Sequence, residues 1–173
     1  MRRALSVCAV LAGCAPARPA TPDRHELANI LPGNIVPKSS PAQLARTFET
    51  FCLNGPRDFA AAERALRQAV YVPLPSQGRG ITGFVVDDKR PMVLVSSDGR
   101  SCGVGAQSRT GQTERIRTLV AKRLPTARPV DASRFGQDLE QAWQVPGTGI
   151  LFLQRMGQPN SPSRLVFGIW RTT

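Results

Sequence analysis

From residue 40 to about residue 70 the apolar positions recur every three or four residues; beyond Val70 the repeat shortens to two. Ser40 stands directly before Pro41, with Gln43 three positions after it, so Ser40 is the expected N-cap and Gln43 its reciprocal partner. Leu44, Phe48, Phe51 and Cys52 then fall on one helical face, and Asn54-Gly55 ends the helix. A second helix is predicted from Pro56 to about Val70. It turns Phe59, Ala62, Leu66 and Ala69 inward and sets Glu63 four residues before Arg67 on the outer face. So short a connection predicts that the two helices pack as a hairpin.

The short runs Tyr71–Leu74, Ile81–Val86, Met92–Ser96 and Ser101–Val104 are rich in β-formers and separated by Gly, Pro and Asp. Asp87-Asp88-Lys89-Arg90-Pro91 and Ser97-Asp98-Gly99-Arg100 are the clearest turns, and the second carries a hairpin signal. A third helix is expected from about Gly111 to Leu124, capped near Thr110 and stopped by Pro125. The stretch from Pro125 to Gln137 reads as irregular, with one helical turn near Asp131–Phe135. Three further strands, Gln141–Val145, Ile150–Met156 and Arg164–Trp170, close an antiparallel meander. The expected class is α+β, an N-terminal helical hairpin and a further helix packed on one face of a mostly antiparallel sheet. No internal repeat stands out.

The chain's first residues follow another pattern. Arg2-Arg3, an apolar run from Ala4 to Ala12 and then small residues have the form of a secretory signal peptide. The run ends in Leu11-Ala12-Gly13-Cys14, which resembles the lipobox of bacterial lipoproteins. The resemblance implies cleavage before Cys14, a diacylglycerol thioether on its sulfur, acylation of the new amino terminus, and the membrane as a partner through that lipid. Ala15, where enteric lipoproteins retained at the inner membrane carry Asp, favours the outer membrane, facing the periplasm. Residues 1–13 are then the signal peptide, 14–40 a lipidated, Pro-rich tether and 41–173 a single domain. The alternative is ordinary cleavage after Ala15-Pro16-Ala17, which releases a soluble periplasmic protein beginning at Arg18.

Cysteine usage agrees with export. The chain has 4 Cys; Cys8 would leave with the signal peptide and Cys14 would carry lipid, so Cys52 and Cys102 remain and are expected to pair in an oxidising compartment. There is no Cys-x-x-Cys spacing and no His/Cys set for zinc, so no metal and no cofactor are expected. The single His25 lies in the tether, where it cannot serve a catalytic triad. Asp87 and Asp88 read as turn residues rather than a catalytic pair.

The net charge of +11 comes almost wholly from scattered Arg, with Lys only at 38, 89 and 122. That scatter argues against nucleic acid and leaves an anionic envelope surface, or an envelope protein, as the expected neighbour. Gly103-Val104-Gly105 through Gly111 is a poor phosphate loop, because Gln112 stands where Lys is needed. Arg109, beside the start of the third helix, still makes that region a candidate anion site. Trp143, Phe152, Phe167 and Trp170 on the closing meander are expected to pack inward, Trp170 being the foreseen exception; Trp143 and Trp170 join Arg109 as binding candidates. The Phe-x-x-Phe-Cys helix, the later Cys-Gly-Val strand and the Trp-containing meander together resemble small periplasmic proteins of proteobacteria. The expected function is a lipid-anchored envelope protein that binds or scaffolds and is not an enzyme; a cryptic enzyme without His-based chemistry is the alternative.

Overall fold

A computed structural model describes residues 31–75, 80–157 and 162–172. The signal segment, Cys14, His25 and the first part of the proposed tether lie outside the described residues.

Among the described residues the chain is α+β, with three α-helices and an eight-stranded, wholly antiparallel sheet. Helix α1 spans Pro41–Phe48 and runs directly into a wide π-turn, Glu49–Leu53. Ser40 caps it as expected, its hydroxyl accepting from the Gln43 amide at 3.2 Å. Gln43 does not return the bond, because its side-chain amide donates to Thr47 instead. Helix α2 spans Phe59–Gln68; its cap is Asp58, which accepts from the Ala61 amide at 2.8 Å. The expected Glu63–Arg67 pair forms on its outer face at 2.7 Å. Helix α3 spans Gln112–Arg123 and begins at Gly111, whose φ of +86° turns the chain into the helix without a side-chain cap.

The strands are β1 (Val72–Pro73), β2 (Ile81–Val85), β3 (Met92–Ser96), β4 (Ser101–Gln107), β5 (Arg128–Val130), β6 (Leu139–Val145), β7 (Gly149–Met156) and β8 (Arg164–Arg171). Their spatial order is β1-β2-β3-β4-β8-β7-β6-β5. Two meanders of four strands therefore meet back to back at β4 and β8, and each is preceded by a helix, α2 before β1 and α3 before β5. This repeat of helix and meander is a repeat of topology that the residues themselves do not display. The segment expected to be irregular contributes β5, an outer strand. Its helical turn is confirmed as Ala132–Arg134, with Asp131 accepting from the Ser133 amide. Both outer strands are short, and each contains a proline, Pro73 in β1 and Pro129 in β5.

The predicted hairpin of the first two helices is corrected. Helix α1 lies against α3 and β4, whereas α2 sits on β3. The π-turn and the residues after it carry the chain away from α1 before α2 begins, so sequence adjacency does not become packing. One core joins the apolar faces of the helices to one face of the sheet. Leu44, Phe48, Leu66, Ile116 and Val120 meet Val93 and Val95, Val104, Leu151 and Leu153, and Leu165, Phe167 and Ile169, the alternate residues of their strands. Phe48 and Phe167 touch at its centre, ring centroids 4.1 Å apart. Fully burying one such side chain contributes roughly 1.5–3 kcal/mol.

Cys52, in the π-turn, forms a disulfide with Cys102 in β4, their Cα atoms 5.3 Å apart and 50 residues distant in sequence. Beside it, Arg171 donates to the Gly99 carbonyl at 2.9 Å and to the Cys52 carbonyl at 2.7 Å. Burial, reinforced by the neighbouring Arg57 cation, lowers the pKa of Arg171 from its ordinary value. Gly99 closes the β3–β4 hairpin at φ +70°, and a Cβ there would fall 2.2 Å from the Arg57 carbonyl oxygen. Gly99→Ala therefore has both a disfavoured backbone and a backbone collision to relieve. It is expected to cost at least about 2 kcal/mol, read as a lower denaturant midpoint with an unchanged m-value.

Candidate functional site

Residues 37–39 were expected to belong to the tether, but they are part of the domain. Pro37 accepts from the Gln107 amide at 2.7 Å, and the Lys38 amide donates to the Asp88 carbonyl at 2.5 Å. Ser39 is fully buried. Gln112, also fully buried, fixes this strap from the other side: its side-chain nitrogen donates to the Ser39 and Gln107 carbonyls, and its oxygen accepts from the Arg109 amide at 2.9 Å. The residue that spoils a phosphate loop thus serves as a structural clasp. Leu31 and Val36, just before the strap, are exposed, whereas Ile35 is half-buried.

This clasp assembles a cleft of about 390 Å³ lined by Lys38, Ser40, Gln43, Lys89, Arg90 and Arg109. Four cations from three separate segments face it, with no carboxylate in the lining. Arg109 is held by donation to the Lys38 carbonyl at 2.8 Å. Arg90 is held by Asp87 at 2.8 Å and by the Ala69 carbonyl at 3.3 Å, and its guanidinium lies 5.6 Å from the centre of the Tyr71 ring. Tyr71 is buried, donates to the Pro91 carbonyl at 3.2 Å, and has its pKa pushed up to about 12, chiefly by burial, with Arg90 pulling the other way.

Asp87 organises the turn that carries Lys89 and Arg90. One oxygen accepts from both backbone amides, at 2.9 and 2.7 Å, and the other accepts from the Arg90 side chain. Partial burial resists ionisation, but the amides and the guanidinium outweigh it and hold the carboxyl below its ordinary value. The turn reading of Asp87-Asp88 is therefore the one the geometry supports. Asp98 and Asp131 are likewise depressed by hydrogen bonds within their turns, to Ser96 and Ser133 first.

Arg109 thus lies at the start of α3, where its amide bonds to Gln112, and its side chain reaches across to the strap and lines the cleft with residues of the β2–β3 turn and the start of α1. Trp143 is in the core, edge-on to Phe167 with centroids 6.4 Å apart, and offers no binding surface. Trp170 is half-buried on the sheet face away from the core, as foreseen, and is stacked on Phe152 at 4.1 Å with Phe135 at 6.4 Å. Phe152 lies over Gly168, where a Cβ would come within 2.4 Å of its ring. Cys52 and Cys102 are joined; Cys14 is outside the described residues. Lys38, Lys89 and Arg90 were not singled out from the sequence as site residues, and Gln112 was noted only as a mismatch, although two of the three lysines converge here. A second cleft, about 670 Å³, lies between Val36, Asp138, Arg155 and Arg164. Its Arg155 is already paired with Glu140.

No protein-family model, curated protein or solved structure matches the chain.

The depressed Asp87 carboxyl contributes stability that is present above its unfolded pKa and is lost as pH falls through its lower folded value. Asp87→Asn should accordingly lower the unfolding midpoint near pH 7. The gap to wild type should narrow as pH falls below the ordinary Asp range and through the lower folded value, as followed by thermal melts across the acid range.

Proposed function

We propose that this chain is a bacterial cell-envelope protein held to the membrane by lipid on Cys14, whose α+β domain acts by binding. The observation that carries the reading is the Cys52–Cys102 disulfide. A structural disulfide belongs to an oxidising compartment, and Leu11-Ala12-Gly13-Cys14 supplies a route there. The placement of the carboxylates supports binding over catalysis. Asp87, Asp98 and Asp131 are consumed by turns, and Glu49, Glu63 and Glu140 by ion pairs with Arg123, Arg67 and Arg155. Among the accessible hollows the domain offers a basic cleft, which suits an anionic envelope component or an acidic partner protein. The outer membrane, facing the periplasm, is the proposed address.

Growth with a labelled fatty acid tests the anchor. Wild-type protein should take up label, and Cys14→Ala should not, accumulating as precursor. An unlabelled mature chain beginning at Arg18 would replace the anchor with release into the periplasm. Thiol counting on the denatured mature protein should find none before reduction and two after it. A cytosolic product that retains Met1 and has both thiols free would overturn the whole reading.

A further inference from the structure

Building on the binding reading, we propose that the cleft at the start of α1 is a phosphate site for a phosphomonoester group. Lys38, Lys89, Arg90 and Arg109 gather around one hollow, and of these four only Arg90 has an ion-pair partner among the described residues. Burial of Ser39 and Gln112 and the cross-bonds among Pro37, Lys38, Gln107 and Asp88 hold the charged segments together, so their convergence is built into the fold. One anchor is independent of any ligand: Arg109 uses a single nitrogen on the Lys38 carbonyl, leaving the rest of its fork for another acceptor.

The donor set selects the ligand. The unused part of the Arg109 fork and two ammonium groups, beside an Arg90 already engaged by Asp87 and the Ala69 carbonyl, still present more donors and more charge than a carboxylate can meet. A phosphomonoester carries close to two negative charges at neutral pH and three acceptor oxygens. The cleft is open to solvent, so the group that carries the phosphate can extend outward from it. The start of α1 adds little, because Pro41 has no amide hydrogen and Ser40 already takes the Gln43 amide. The side chains do the recognising. Free phosphate and a phosphorylated headgroup share this chemistry.

The test is calorimetric titration of the full chain in neutral detergent at fixed low salt, with inorganic phosphate, glycerol 3-phosphate and acetate as probes. Phosphate should bind saturably, and acetate should not. Lys38→Gln/Lys89→Gln removes two side chains that form no hydrogen bond or ion pair among the described residues. It should weaken phosphate by about tenfold or more, the loss of roughly one charge-assisted contact. Arg64→Gln/Arg128→Gln removes the same charge from exposed positions outside the cleft and should change affinity by less than about twofold. Glycerol 3-phosphate binding about tenfold tighter than phosphate assigns a phosphorylated headgroup; equal affinities assign free phosphate. Non-saturable heats, or equal weakening by the two double variants, overturn the site. Either result would leave the lipid-labelling outcome at Cys14 untouched.

Discussion

The Cys52–Cys102 bond sets where the end of α1 meets the sheet. It fastens the π-turn that ends α1 to β4, the strand at the sheet's centre. Closing a loop of this length removes about 4 kcal/mol of chain entropy from the unfolded state in the loop-closure model. Arg171 repeats the constraint without covalency, drawing the Cys52 and Gly99 carbonyls onto the last strand. With its far end pinned and Phe48 seated on Phe167, α1 has its axis fixed. The start of α1, with Ser40 and Gln43, is then held where the strap and the β2–β3 turn converge.

The two ends of that helix differ in how local their causes are. The disulfide was legible because it needs only counting: once Cys8 and Cys14 are set aside, two sulfurs remain. The Ser40 cap, the Glu63–Arg67 pair and the Asp98-Gly99 turn were legible because each is decided within a few residues. Helix partnership was not, since α1 chooses α3 from across the sequence through a π-turn that has no sequence signature. The outer strand β5 escaped notice because three residues containing Pro129 give no alternating pattern. The cleft was illegible for the same reason in stronger form. Its cations come from residues 38, 89–90 and 109, and only the paired strands β3 and β4 and a buried Gln112 bring them together. Arg109 was noticed for its nearness to α3, to which it is indeed bonded through Gln112, but the strap its side chain holds comes from elsewhere in the sequence.

The aromatic residues show how strand parity sorts similar side chains. Trp143 and Phe167 share the face that receives the helices and are buried among them, while Phe152 and Trp170 point the other way and stack on one another over Gly168. All four lie within one meander. Which of them can be touched from outside follows from a shift of one residue along a strand.

The back-to-back meanders leave two rims, and the sequence blunts both. A rim strand ordinarily offers a ladder of unmet amides and carbonyls to any passing chain. Here β1 is two residues long and β5 three, and Pro73 and Pro129 each strike out a donor. The sheet is thereby closed to growth by strand addition or by stacking end to end with its own copies. If the proposed lipid anchor gathers copies of the domain on a surface, blunted rims keep them from polymerising there. Any partner it does engage must be met through side chains.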